Sequence, residues 1–410
     1  MRILLTANAS YNPPRGGATR SNLLWLEHMA AAGDRCRVVA GALAESAAKR
    51  AQIAQEGLDR EPPAHRGVEI FEAQGRAGLG PALRYHIQEF EPDWVLVSSE
   101  DLGHVLLREA HHAAPGRVVY LAHTPQFFPF GPASWNPDAG AADLVRRAAG
   151  VVAIGHHAAA YIAQHLGRAA EVIHPPIYGR EPFPDLARFG AGLITMVNPC
   201  AVKGISIFLG LADRFPAYGF GVLPGWGTTV EDRAALAARA NITVLPNCRH
   251  IAEFLSRTRI LLMPSLWYEG FGLTVMEAML HGIPVISSDA GGLVEAKMGT
   301  PFVAHAPAID RYEHVFDEHS LPKPVAGTID FQPWTEALCA LLSDRSLYER
   351  VSDESRAAAL SFVRSLDAGR MREYLQSLVP AVAAPERPSL ANLSPDKRAL
   401  LLRLARGRKV

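Results

Sequence analysis

The 410-residue chain has little cysteine, no surplus of either charge and no long apolar run. Its cysteines, Cys36, Cys200, Cys248 and Cys339, lie far apart and form no CxxC pair. That excludes a disulfide framework or a zinc ribbon and fits a reducing cytosol. Lys and Arg number 41, and so do Asp and Glu, for a formal net charge of zero. Nucleic acid and anionic membranes select a basic surplus, so a whole-chain binder of either is excluded. No stretch approaches the roughly 18 apolar residues of a transmembrane helix. Residues 1–6 turn polar too soon for a signal peptide. A cytoplasmic protein is expected, with peripheral membrane contact left open. Missing motifs narrow the chemistry too: there is no Asp-x-Asp pair and no HExxH, GxSxG or Walker A string. Residues 219–225 come near a dinucleotide fingerprint but are misspaced. Neither a metal nor a cofactor is expected.

What is present is an apolar fraction of 49%, enough for a sizeable core. At roughly 150 residues per domain, two to three domains are expected. Short apolar runs at 2–6, 37–40, 68–71, 94–97, 118–121, 151–154 and 171–173 alternate with helical patterns near 19–32, 81–89, 102–112 and 157–166. Continuous rather than alternating apolar runs mark parallel strands covered on both faces. Repeated βα units predict a doubly wound α/β domain. Residues 174–184 carry four prolines and read as a linker. A second series follows, with strands at 193–197, 219–223, 242–245, 260–263 and 284–287. Its helices are expected at 203–214, 231–239, 251–256 and 273–281. Residues 300–333 read as a long loop or insertion, 334–378 as helices and 381–392 as a second linker. The tail, 393–410, is rich in Lys and Arg. Ser394, Pro395 and Asp396 suit the start of an amphipathic helix there. Two facing α/β domains make the cleft between them the default site.

The most informative string is PSLWYEGFGLTVMEAM, residues 264–279, which follows a strand and opens a helix. Gly270 and Gly272 let backbone approach a ligand. The amides of Phe271, Gly272, Leu273 and Thr274 stand at a helix N-terminus, a ready anion site. Glu269 and Glu277 flank it, and carboxylates accept hydrogen bonds from vicinal hydroxyls. A phosphate site between two such acceptors suits a nucleotide sugar.

This string resembles the signature of family 4 glycosyltransferases: a PS strand end, then EGFGL, then EA. The following residues 281–295, HGIPVISSDAGGLVE, resemble the same family's continuation, with Gly291 and Gly292 as a tight turn. The resemblance implies a GT-B fold of two Rossmann-like domains and retention of anomeric configuration. It also implies that Glu269 binds hydroxyls of the donor sugar, that Glu277 binds the ribose, and that the amides between them meet the diphosphate.

Other parts of the pattern occur in order. Gly16 and Gly17 follow the first strand, where members of the family carry a GG loop facing the diphosphate. His123, at a strand end, resembles the family's active-site histidine. Lys203, before Gly204, matches a lysine that neutralises the leaving diphosphate. Here the chain departs from the pattern, since many members place an Arg where Asn198 stands. Asn198 or Arg249 is expected to serve instead. The segment 246–250 matches a nucleobase-contacting region, and a UDP-sugar is favoured over a GDP-sugar. His156 and His157 are read as structural.

The resemblance covers roughly residues 1–378. Residues 1–175 are expected to form the acceptor-side domain and 183–355 the nucleotide-sugar domain. Residues 356–380 are expected to be helices packing back on the first domain, and 381–410 a linker and basic tail. His123, Lys203 and Glu269 are the expected catalytic residues, for metal-independent transfer to a hydroxyl acceptor such as a natural product or a lipid or polysaccharide precursor. The tail resembles a string common in nonribosomal peptide and polyketide assembly-line proteins, which implies docking there; a basic amphipathic helix also suits an anionic membrane. Two rivals remain: another GT-B enzyme, an epimerase or a phosphorylase, and a catalytically silent nucleotide-sugar binder.

Overall fold

The computed structural model describes residues 1–381, apart from 13, 15, 43–65, 74, 249 and 320. The expectations for Arg249 and for the tail, 393–410, therefore lie outside the described residues. Seven strands form the first sheet: β1 (Arg2–Ala7), β2 (Arg35–Gly41), β3 (Val68–Ala73), β4 (Trp94–Ser98), β5 (Val118–Ala122), β6 (Gly150–Ala153) and β7 (Glu171–Val172). Their order is β3-β2-β1-β4-β5-β6-β7, and every pairing is parallel. The second sheet holds β8 (Leu193–Val197), β9 (Phe220–Leu223), β10 (Ile242–Val244), β11 (Thr258–Met263), β12 (Val285–Ser288) and β13 (Val303–Ala304). It too is all parallel, in the order β10-β9-β8-β11-β12-β13. β4, β5, β6 and β11 are buried along their whole length, which is why they read as unbroken apolar runs.

The strand order reverses between β1 and β4 in one sheet and between β8 and β11 in the other. Doubly wound sheets open a crevice outside the carboxyl ends of the strands at such points. The segments leaving these four strands carry Gly16 and Gly17, Ser98 to Glu100, Asn198 to Lys203, and Pro264 to Gly272. The fold thus brings the glycine pair, Lys203 and the signature string to the crevices at these reversal points.

The C-terminal helices tie the domains together. Phe362, on the helix Arg345–Ser365, stacks on Phe271 at 5.6 Å and meets His174 of the linker edge-on at 5.0 Å. The helix Arg370–Ser377 returns to the first domain, where Arg372 Nε donates to buried Asp34 at 2.7 Å and Arg370 pairs with Glu171.

The segment 300–333 is not a loop. It contains β13 and an antiparallel hairpin, β14 (Ile309–Phe316) and β15 (Pro322–Ala326). Pro322 and Pro324 argued against a strand, but a two-stranded ribbon has open edges that need no donor from them. The helix expected over 203–214 also breaks: Ala201–Lys203 is a 3-10 turn, and the helix proper is Ile205–Arg214.

Candidate active site

Gly204 explains that break and the placement of Lys203. Its φ is +80°, and a Cβ there would lie 2.0 Å from the carbonyl oxygen of Pro264. Only glycine lets the loops after β8 and β11 touch at this point. The contact delivers Lys203 Nζ to Glu269 Oε1 at 2.5 Å. Ser265 Oγ donates to the same oxygen at 2.5 Å, and the ammonium lies 4.1 Å from the centre of the Trp267 ring. Both ions are largely buried, so this charge-assisted pair is only weakly screened. Both bonds go to Oε1, and Oε2 takes no part in them.

The next glycines are required by the protein itself rather than by a ligand. A Cβ on Gly270 would fall 1.9 Å from the carbonyl oxygen of His123, in the other domain. A Cβ on Gly272, φ +129°, would crowd Leu293 and Ala296. The helix Leu273–Leu280 then starts with no side-chain cap. Among the described residues, none accepts a hydrogen bond from the amides of Phe271, Gly272, Leu273 or Thr274. That leaves an anion site at a positive helix end. The Phe271 ring itself is buried against Phe362.

Glu277 is on the second turn of that helix and is buried. Burial raises its pKa, and the nearby Arg20 guanidinium opposes the rise. Arg20 Nη1 lies 3.6 Å from Glu277 Oε1 and comes from the first domain. Tyr178 of the linker completes the group; its buried hydroxyl has no partner among the described residues, and burial and Glu277 raise its pKa. Gly16 and Gly17 begin the helix Gly16–Ala31, which carries Arg20. A Cβ on Gly17 would lie 2.8 Å from Leu273 Cδ1, so the two helix N-termini meet across the cleft.

His123 ends β5 and is 1% exposed. Its Nε2 lies 2.8 Å from Asn22 Oδ1, and the Asn22 amide donates to Tyr11 Oη at 2.9 Å and to Ser98 Oγ at 3.3 Å. With Asn22 Oδ1 as acceptor, Nε2 is assigned the proton, and Nδ1 is a buried lone pair without a partner among the described residues. Burial pushes its pKa down to about 3, so the ring is neutral.

Asn198 does not replace a guanidinium by charge. Its Oδ1 accepts from the Gly227 amide at 2.9 Å, its Nδ2 is buried without a partner among the described residues, and its φ is +54°. Nearby, a recess of about 60 Å³ is lined by Leu245, Pro246, Asn247, Cys248, Glu253, Phe254 and Arg257. Glu277 is close enough to contribute to the raised Cys248 pKa, after burial and Glu253.

Sequence reasoning missed the contacts that hold the cleft shut. The Glu295 carboxylate accepts from the amides of His156 at 3.0 Å and His157 at 3.1 Å, and pairs with His174 Nε2 at 2.9 Å. Burial opposes its charge, but the hydrogen bonds from His174 and the two amides outweigh burial and lower its pKa. His156 and His157 thus serve through their backbone at the helix start. The Gln126 amide, turned to satisfy both of its ends, pairs with the backbone N and O of Tyr268 at 3.0 and 3.1 Å. Trp135 packs on Trp267 at 5.9 Å and on Tyr312 of the hairpin at 5.6 Å. The sequence signal for Arg20 was its place one turn beyond Gly16 and Gly17. Glu295 carried none beyond its motif.

Comparison with known proteins agrees with this architecture. Residues 15–178 match the family model described as Glycosyltransferase Family 4. Residues 217–311 match that described as Glycosyl transferases group 1. No curated protein matches the chain by sequence. Among solved structures, Anabaena HepE in complex with UDP and glucose is 19% identical, with a TM-score of 0.65 over 92% of this chain and 100% of that one. Sucrose-phosphate synthase from Thermosynechococcus elongatus is 15% identical, with a TM-score of 0.63 over 92% and 98%. WaaG, a glycosyltransferase involved in lipopolysaccharide biosynthesis, is 14% identical, with a TM-score of 0.62 over 92% and 100%. At these identities the likeness is one of fold.

Proposed function

The chain belongs to the family 4-type glycosyltransferases of GT-B fold, and on that premise we propose that it is a retaining, metal-independent hexosyltransferase that moves a sugar from a nucleoside diphosphate to a hydroxyl acceptor. The observation that carries the reading is the Lys203–Glu269 pair beside the uncapped start of the helix Leu273–Leu280. Glu269 Oε2 accepts from sugar hydroxyls and fixes the donor. Glu277 accepts from the ribose hydroxyls, and the recess at 245–248 takes the base. A UDP-sugar is the favoured donor, since HepE, of like fold, was crystallised with UDP and UDP-glucose.

The bond from the anomeric carbon to the diphosphate oxygen breaks. The acceptor oxygen bonds to that carbon on the same face, and its proton passes to the departing phosphate oxygen. Lys203 and the helix N-terminus carry the developing negative charge, the task a divalent ion performs elsewhere. His123 is neutral, so it works by hydrogen bonding rather than by proton donation. The acceptor is a natural product or a lipid or polysaccharide precursor, and the tail 393–410 is where an assembly-line partner or a membrane would be met. Among the described residues, no helix is long and apolar enough to cross a membrane.

A thermal-shift panel of nucleosides, nucleotides and nucleotide sugars tests the donor, because a ligand of the native state raises its melting point by mass action. NMR of the product's anomeric proton tests retention. An inverted product contradicts it. A silent binder would shift on the panel and release no diphosphate, and an epimerase would interconvert donors without transfer.

A further inference from the structure

A diphosphate brings at least two negative charges into this cleft. Among the described residues, the cations that touch the two donor-site glutamates are Lys203 and Arg20. Lys203 is already matched by Glu269, and Asn198 adds no charge. Arg20 is different: its side chain is 47% exposed, and at 3.6 Å it is too far from Glu277 for a hydrogen bond. It stands in the first turns of a helix whose second residue, Gly17, faces Leu273, at the mouth of the free-amide site. A half-exposed, loosely paired arginine is cheap to redirect.

We propose that Arg20 is the second diphosphate-binding cation, supplied by the first domain, and that it leaves Glu277 when ribose hydroxyls take that carboxylate. The inference rests on the donor reading above. Its consequence is that nucleotide binding and domain closure are coupled. The ribose releases Arg20, and the released guanidinium, whose planar fork matches phosphate oxygens, draws the first domain onto the donor.

Calorimetry on the full chain tests it, with uridine, UMP and UDP and the guanosine and adenosine series as probes, against wild type, Arg20→Gln and Arg20→Lys. For the base that wild type prefers, Arg20→Gln is expected to weaken the diphosphate about 10- to 100-fold. The nucleoside is expected to bind unchanged or more tightly, because Glu277 loses its competitor. Arg20→Lys should recover part of the loss. Equal weakening of nucleoside and diphosphate would make Arg20 a support for Glu277 alone and overturn the proposal, as would an unchanged diphosphate affinity. Failure of wild type to bind any nucleoside diphosphate would sink the donor reading itself, a distinct result.

Discussion

The two glutamates of the signature are eight positions apart, yet their surroundings differ in kind. Glu269 is held from within one domain, by Lys203 and Ser265 at 2.5 Å each. Glu277 meets its cation at 3.6 Å, and that cation belongs to the other domain. One end of the cleft is organised before any donor arrives. The other is completed by a side chain of the facing domain. Preorganised charge lowers a barrier because nothing has to be rearranged at the moment of reaction. A cross-domain pair can instead report whether a ligand is present.

The largest expected effect is at the preorganised end. Lys203→Ala should cut transfer by about 100- to 1,000-fold, as steady-state kinetics would show, and lower the melting point without unfolding the chain, because it leaves the buried Glu269 carboxylate unpaired. A loss confined to donor KM would place Lys203 in uniform binding rather than at the leaving group.

Next comes closure itself. Gly270→Ala puts a methyl where the His123 carbonyl oxygen lies and should hold the domains apart. Transfer should fall by more than about tenfold, with a larger radius of gyration in solution scattering. An unchanged radius would mean that the loop yields and the comparison loses its basis. Glu295→Gln weakens the same closure without adding bulk, since it keeps the side chain's shape, removes its charge and turns one of its two acceptor oxygens into a donor. A cost of about 1–3 kcal/mol is expected, read as a raised donor KM.

The smallest effect concerns pH. His123 is neutral in the fold, with its pKa near 3 against the usual 6.5. A depressed pKa contributes stability that is present above pH 6.5 and lost as pH falls toward 3. At pH 5 that is about 2 kcal/mol. Glu100 runs the other way: burial raises its pKa to about 7, so its contribution is whole below its usual 4.5 and fades as pH rises through 7. The difference in melting point between wild type and His123→Gln, followed from pH 7 to 5, isolates the histidine. The gap should narrow as pH falls; a constant gap contradicts the neutral ring.

The same contrast explains what the sequence made legible. Strand–helix alternation gave both sheets, because buried parallel strands are unbroken apolar runs. Glu269, Lys203 and the helix start were legible because each stands in a local string. Arg20 meets Glu277 across 257 positions, and Glu295 meets His156 across 139. Such pairs are set by how two domains dock, which no window of residues encodes. Glycines show the same limit. In the sequence Gly270 reads as room for a ligand, whereas the structure fills that room with the His123 carbonyl. The hairpin at 309–326 escaped because Pro322 and Pro324 break strand patterns everywhere but at an open edge.

The most direct test of the account is nucleoside diphosphate release from a panel of UDP- and GDP-sugars in excess EDTA, by wild type and by Glu269→Ala. Wild type is expected to release the diphosphate from one of these donors without metal, and Glu269→Ala to lower the rate at least about 100-fold while remaining folded. Release by Glu269→Ala at the wild-type rate, or release by wild type only after Mg²⁺ is restored, would contradict it.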